Sequence, residues 1–147
     1  MRAKVQRGRI VYLRKDGHAR VIPTDRQEKL GRRPFLVVQN DYANAAADRT
    51  LVVALTSYAS VDKIADLVKL KIRGTDVYMP KGKQGEGLAN YESVADCGSV
   101  FTVYENEIHN VFDGTYHEDV MKYVDAALRT AMELDTARFY SREIKTA

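Results

Sequence analysis

The sequence of 147 residues has one cysteine, few prolines and glycines, and no tryptophan. Cys97 cannot form a disulfide within the chain, and His18, His109 and His117 lie too far apart for the usual spacing of zinc ligands. No apolar stretch approaches the roughly 20 residues that span a bilayer, and the charged start lacks the apolar run of a secretory signal. We therefore expect a cytoplasmic protein without a metal, cofactor or membrane segment, in which Cys97 packs as a small buried residue.

The remaining composition is typical of a globular domain, with 45% hydrophobic and 29% charged residues. The length suits a single domain over residues 1–147, and we expect the polar tail at 139–147 to fray. The net charge of +3 is unevenly distributed: residues 1–33 hold 11 Lys/Arg against 3 Asp/Glu, and the rest holds 12 against 17. Concentrated positive charge indicates a polyanionic or acidic partner, and a solvated surface is the alternative.

Several short runs of β-forming residues predict strands, which are separated by polar or alanine-rich segments. Residues 15–32, interrupted by Gly17, Pro23 and Gly31, are expected to form a long loop, and residues 43–49 a connector. The predicted strands cover residues 8–14, 34–40, 50–56, 66–73, 93–97 and 99–104, of which the last two could be one strand.

The period of the apolar residues changes near the end of the chain. Between residues 117 and 138 they recur at spacings of three and four, which predicts one amphipathic helix. Several short strands followed by such a helix indicate a mainly β (α+β) fold, namely a small, mostly antiparallel β barrel capped by a helix.

Arg33 is the first candidate for a functional side chain. It stands with Arg32 directly before Pro34, where the basic loop meets a predicted strand, and a proline is tolerated at the first residue of a strand. The planar guanidinium donates two parallel hydrogen bonds and so suits a phosphate group. The alternative is an exposed arginine in a salt bridge.

Thr56 and Ser57 are the second candidate, at the end of the apolar run 50–56. A hydroxyl at the exit of a buried strand can point into a groove and donate to a phosphate oxygen. The alternative is a strand-end hydroxyl bonded to its own backbone. Lys69 and Lys71, on the polar face of the predicted strand 66–73, could extend a track for phosphates or could belong to a solvated face.

Three segments of this sequence resemble the N-terminal signatures of the MazF/PemK toxins. They are residues 7–12 (R-G-R-I-V-Y), residues 33–41 (R-P-F-L-V-V-Q-N-D) and the strand from Thr50 that ends in Thr56-Ser57. Residues 119–128 are similar to the closing helix of the family, so the resemblance runs from about residue 7 to residue 134.

The resemblance implies a dimeric barrel of the MazF/CcdB type, related to SH3-like barrels. It further implies metal-independent, sequence-preferring cleavage of single-stranded RNA by attack of the 2′-OH, and neutralisation by an acidic antitoxin. The essential arginine of the family falls on Arg33 and its essential hydroxyl on Thr56. Further substrate contacts are expected from the loop before Arg33 and from the strand ends, at Glu28, Lys29, Arg32, Ser57 and Ser99.

The sequence departs from the family pattern at residues 98–101 (G-S-V-F), where family members often carry an E-Q-x-R-like run. The base preference of the family therefore does not transfer to this chain. The alternative function is a catalytically weak module on the same barrel that binds RNA or an acidic protein. A third candidate is a CcdB-like inhibitor of DNA gyrase. It is disfavoured because that activity is associated with a tryptophan near the C-terminus, and this sequence has no tryptophan.

Overall fold

The computed structural model describes residues 4–22, 33–57 and 75–132. These ranges contain six β-strands, three α-helices and one 3₁₀ turn at Glu105–Glu107. The strands are β1 (Ile10–Leu13), β2 (Phe35–Val37), β3 (Arg49–Ser57), β4 (Asp76–Met79), β5 (Ser93–Tyr104) and β6 (Ile108–Val111). The helices are α1 (Lys15–Val21), α2 (Asp41–Ala46) and α3 (Glu118–Ala131).

The six strands form one sheet in the order β4-β5-β3-β2-β1-β6, and every pair is antiparallel. The two longest strands, β3 and β5, are neighbours in this sheet. Their register shifts between Val53 and Leu55, because β5 carries extra residues there. The sheet and its closing helix confirm the predicted mostly antiparallel fold.

Successive side chains of a strand point to opposite sides of the sheet. Because the strands are continuous apolar runs, both faces of the sheet are apolar. We call the two sides the helix face and the barrel face. The helix face is packed against α3 and includes Leu36, Val53 and Leu55. The barrel face includes Phe35, Val37, Val52 and Ala54, together with residues of β1, β6 and the end of β5.

Helix α3 buries one stripe against the sheet, formed by Met121, Val124 and Ala127. These residues belong to the series of apolar side chains at spacings of three and four that predicted the helix. His117 precedes the helix, and its Nδ1 accepts the N–H of Asp119 at 3.1 Å. The predicted helix 117–138 is thus confirmed as far as Ala131, and residues 133–147, which include the tail, lie outside the described residues.

Some expectations about local structure are wrong. Residues 15–32 were expected to be a loop, but Lys15–Val21 form α1, and Asp41–Ala46 form a helix where a connector was expected. Gly17 suggested a break, yet a Cβ at this position would come within 2.9 Å of the Glu107 Cβ, so glycine allows α1 to approach the 3₁₀ turn closely. The predicted strand 66–73 and residues 23–32 lie outside the described residues.

Strands β4 and β6 were not predicted from the sequence. The two predicted runs 93–97 and 99–104 form the single strand β5. Cys97 is buried with no exposed surface, as expected. Within the described ranges, no helix is long and apolar enough to cross a membrane.

Candidate functional site

The register of β2 and β3, extended past its last observed pair, brings Arg33 and Thr56 opposite each other at one end of the sheet. Phe35 pairs with Ala54 in the β2–β3 ladder, and the Leu55 N–H donates to the Pro34 carbonyl at 2.9 Å. The same antiparallel register, continued by one residue, places Arg33 opposite Thr56. Directly opposed residues of an antiparallel pair have their Cβ atoms about 4.5–5.5 Å apart.

Both side chains extend the barrel face. Arg33 is two residues before Phe35 and Thr56 two residues after Ala54, so alternation puts them on the same side of the sheet. Both residues are half-buried. Pro34 contributes no N–H to the ladder, which explains why regular strand pairing ends here and leaves Arg33 at the junction of strand and loop.

The backbone of Arg33 is held by a side chain that the sequence did not indicate. The Arg33 N–H donates to His18 Nε2 at 3.1 Å. His18 is only 4% exposed, and its ring meets that of Phe35 edge-on at 5.9 Å between centroids. Because Nε2 accepts this hydrogen bond, it carries no proton in this arrangement.

The other predicted residues within the described ranges occupy different positions. Ser57 follows Thr56 on β3, so its side chain lies on the helix face, opposite Ser93 of β5. Ser99 is exposed at the register shift of β5, two residues before Phe101, which packs against the barrel face. The register therefore groups Arg33 and Thr56, leaves Ser99 in the register shift opposite the middle of β3, and does not bring Ser57 to their side.

Five of the predicted substrate-binding residues fall outside the ranges that the structure describes. They lie in the segments before Arg33 and after Ser57 that are outside the described residues. These residues are Glu28, Lys29, Arg32, Lys69 and Lys71.

A separate cleft of about 750 Å³ lies between the loop 81–90 and residues 110–113. Lys81, Lys83 and Asn110 are among the residues that line it. Asn110 pairs with Tyr12 of β1, so the cleft lies toward the β6 edge of the sheet. Neither Arg33 nor Thr56 lines this cleft.

The thiol of Cys97 is not available as a nucleophile. Burial, reinforced by the carboxylates of Asp96 and Asp76, raises the pKa of Cys97 to about 12. A thiol with such a pKa stays protonated at neutral pH. Among the residues that the structure describes, no three His, Cys, Asp or Glu side chains come together as a group that could hold a metal ion.

The six-stranded sheet and its helix α3 define a small, mostly antiparallel β protein closed by a C-terminal helix. The sequence profile of the PemK-like, MazF-like toxins of type II toxin–antitoxin systems matches residues 6–132, so the chain belongs to this family. The resemblance seen in the sequence is thereby confirmed. A comparison with curated protein sequences gives no match.

Solved structures with this fold are similar over most of the chain. An endoribonuclease in complex with its cognate antitoxin, from a mycobacterial species, superposes with a TM-score of 0.57 at 19% identity, covering 88% of this chain and 95% of that one. The Mycobacterium tuberculosis toxin MazF-mt6 gives a TM-score of 0.55 at 16% identity, with 85% and 96% covered. A chain of the MazE–MazF complex from Deinococcus radiodurans gives a TM-score of 0.53 at 17% identity, with 86% and 93% covered.

Proposed function

We propose that this protein is an endoribonuclease toxin that cleaves single-stranded RNA with a sequence preference and without a metal ion, and that a cognate antitoxin neutralises it. The observation that carries the proposal is the register of β2 and β3 at Phe35–Ala54 and Pro34–Leu55, whose extension by one residue puts Arg33 opposite Thr56 on one face of the sheet. Membership of the MazF-like toxins supports it. Similar structures include an endoribonuclease bound to its antitoxin and a MazE–MazF complex.

RNA itself supplies the nucleophile of the proposed reaction. The 2′-oxygen attacks the adjacent phosphorus and loses its proton, the bond from phosphorus to the 5′-oxygen breaks, and the 5′-oxygen gains a proton. The products are a 2′,3′-cyclic phosphate and a 5′-hydroxyl. The protein must hold the attacking and leaving oxygens in line and stabilise the negative charge that develops on the phosphoryl oxygens.

Arg33 is assigned the stabilisation of that charge. Its guanidinium has five N–H donors and no acceptor and can donate to two phosphoryl oxygens at once, so it is assigned an electrostatic role and not that of a base. The half-buried position strengthens this interaction, because a partly water-excluded site screens charge less than bulk water does. The position beside Pro34 keeps the start of the side chain on the rigid sheet.

Thr56 is assigned a hydrogen bond to a non-bridging phosphoryl oxygen. Its hydroxyl lies on the barrel face beside Arg33, so one phosphate can contact both side chains. The loss of one such preorganised donor typically raises a reaction barrier by about 2.7–4 kcal/mol. Ser99, exposed in the register shift of β5, is assigned a contact to the RNA chain outside the reacting phosphate.

The proposal extends to partners and location. The excess of Lys/Arg in residues 1–33 suits RNA and an acidic antitoxin, which would compete for the same positive surface. We expect a homodimer in the cytoplasm, where RNA and the antitoxin are available. Glu28, Lys29, Arg32, Lys69 and Lys71 remain proposed contacts to the RNA backbone.

The test is incubation of the purified protein with a mixed-sequence RNA in EDTA, followed by sequencing and end-group analysis of the fragments. Wild-type protein is expected to produce 2′,3′-cyclic phosphate ends, and Arg33→Ala to abolish cleavage. Arg49→Ala is the matched control, because Arg49 is exposed at the opposite end of β3. Cleavage of a fully 2′-deoxy substrate would contradict the 2′-OH route, and binding of RNA without cleavage would favour the alternative of an inactive binding module.

A further inference from the structure

We propose that His18 is a positioning residue of this site: its imidazole fixes the backbone of Arg33 and thereby the origin of the guanidinium. This inference rests on the proposed function of Arg33. It concerns a side chain on α1, outside the strand motifs that carry the family resemblance. The observation behind it is the hydrogen bond from the Arg33 N–H to His18 Nε2 at 3.1 Å.

The hydrogen bond replaces one that the sheet would otherwise supply. The Val37 N–H donates to the Arg9 carbonyl at 2.9 Å, and Val11 pairs with Phe35. If the pairing of β1 and β2 continued from Val37 back to Arg33, the Arg33 N–H would donate to the carbonyl of Leu13. Instead the chain turns into α1 after β1, and His18 provides the acceptor. Arg33 is thus positioned by a side chain where the ladder ends.

His18 is well suited to this task because its own position is fixed. It is 4% exposed, and its ring packs edge-on against Phe35, which is completely buried. The same phenylalanine is two residues from Arg33 on the barrel face. Imidazole, Phe35 and the Arg33 backbone therefore form one packed unit at the end of the sheet.

Helix α1, which carries His18, is anchored to the 3₁₀ turn through Glu107. The Arg14 N–H donates to the Glu107 carbonyl at 2.7 Å, and the Arg20 side chain donates to both Glu107 carboxylate oxygens, from Nε at 2.7 Å and from Nη2 at 2.6 Å. Gly17 allows the close approach of the helix to Glu107. Glu107 therefore holds α1 at both ends, at Arg14 before its first residue and at Arg20 in its last turn, and His18 lies between these two contacts.

The geometry assigns His18 a role in positioning and not in proton transfer. Nε2 is occupied by the Arg33 N–H, and the buried ring does not share the half-exposed surface of Arg33 and Thr56. A general acid or base must reach the reacting proton. A residue that only positions Arg33 can still affect the rate strongly. A shift of about 1 Å in the group that contacts the transition state can lower the rate about 100-fold.

The kinetic test compares two substitutions that differ in the acceptor. His18→Leu removes it, whereas His18→Gln keeps an amide oxygen near the position of Nε2. We expect His18→Leu to lower kcat for RNA cleavage about 10- to 100-fold with KM changed less than threefold, and His18→Gln to stay within threefold of wild type. His109→Gln is the matched control, because His109 is exposed on β6. Equal losses in His18→Leu and His18→Gln, or wild-type kcat in His18→Leu, would overturn the proposal.

Amide hydrogen exchange of Arg33, measured by NMR on the same variants, tests the hydrogen bond without any substrate. The Arg33 amide is expected to exchange at least tenfold faster in His18→Leu than in wild type or His18→Gln, while the amides of Phe35 and Val37 keep their protection. An unchanged Arg33 rate would overturn the positioning role. If the exchange pattern holds but wild-type protein leaves RNA intact, the proposed ribonuclease function fails and the assignment of His18 as the anchor of Arg33 stands.

Discussion

The Glu107 carboxylate accepts two hydrogen bonds from Arg20, at 2.7 Å from Nε and 2.6 Å from Nη2, and thereby ties α1 to the turn before β6. The same carboxylate accepts the backbone N–H of Tyr104 at 3.0 Å. A planar guanidinium bound to both carboxylate oxygens has the strongest geometry available to an ion pair. Because α1 carries His18, this pair connects the turn with the backbone of Arg33.

The first prediction concerns the pH dependence of stability. The hydrogen bond from Arg20, followed by that from Tyr104, lowers the pKa of Glu107 from its ordinary value of 4.5. A carboxyl group whose pKa is lower in the folded state stabilises the protein above its unfolded pKa, and this stabilisation is lost as the pH falls through the folded pKa. Wild type should therefore be more stable than Glu107→Gln at pH 6–7, and the difference should shrink below about pH 4.5.

The free energy of unfolding in urea, measured between pH 7 and pH 3 for wild type and Glu107→Gln, checks this prediction. Glu105→Gln serves as the control, since Glu105 is in the same 3₁₀ turn. A difference between wild type and Glu107→Gln that stays constant over the whole pH range would contradict the assigned role of the Arg20–Glu107 pair.

The second prediction concerns Arg7, which links the start of the chain to α3. Its Nη1 lies 2.6 Å from Glu118 Oε1 and its Nη2 lies 2.6 Å from Asp125 Oδ2, and the arginine side chain is 19% exposed. Because both partners are well exposed, we expect Arg7→Met to lower the free energy of unfolding by only about 1 kcal/mol. Lys4→Met, which removes the exposed pair with Asp113, should change it by less than about 0.5 kcal/mol. Equal effects of the two substitutions in urea denaturation would show that Arg7 adds no more than an exposed pair.

The third prediction concerns the reactivity of Cys97. Because burial raises the pKa of its thiol to about 12, the thiolate is scarce at pH 8. A thiol reagent such as iodoacetamide should leave Cys97 unmodified in the folded protein and label it after unfolding in guanidinium chloride, as measured by mass spectrometry. Rapid labelling of the native protein at pH 8 would mean that the strand around Cys97 opens readily.

The strand ends at the site could be predicted from the sequence because they depend on strong local signals. Arg33 precedes a proline and a continuous apolar run, and Thr56 ends the next long apolar run, so both were expected at strand ends. The separation of Ser57 from Thr56 could also be predicted from the sequence. Adjacent residues of a strand point to opposite faces, so the two side chains cannot contact the same phosphate from one face.

Other parts of the fold could not be predicted, since they depend on contacts between distant residues. From the sequence, Gly17 is expected to break a helix. In the structure it lies within α1, and its lack of a side chain leaves room for Glu107, which is 90 positions later in the chain. His18 carries no sequence signal, because its partner is a backbone N–H that any residue except proline would provide at position 33. Strands β4 and β6 have four residues each and lie at the two edges of the sheet, where each pairs with a single neighbour, β5 and β1 respectively.

The fourth prediction separates Thr56 from Ser57 by the faces of β3 that they occupy. Thr56 shares the barrel face with Arg33, whereas Ser57 lies on the helix face opposite Ser93. Under the proposed function, Thr56→Val removes a hydrogen-bond donor from the reacting phosphate and should lower kcat about 100- to 1,000-fold. Thr56→Ser keeps the hydroxyl and should retain most of the activity.

Ser57→Ala is the matched variant on the same strand and should change kcat less than threefold, as measured with an RNA substrate in EDTA. Combining Thr56→Val with Arg33→Lys extends this comparison, because two groups that contact one phosphate should have non-additive effects on the barrier. Strictly additive losses in the double variant, or a greater loss in Ser57→Ala than in Thr56→Val, would mean that the reacting phosphate does not lie between Arg33 and Thr56 on the barrel face.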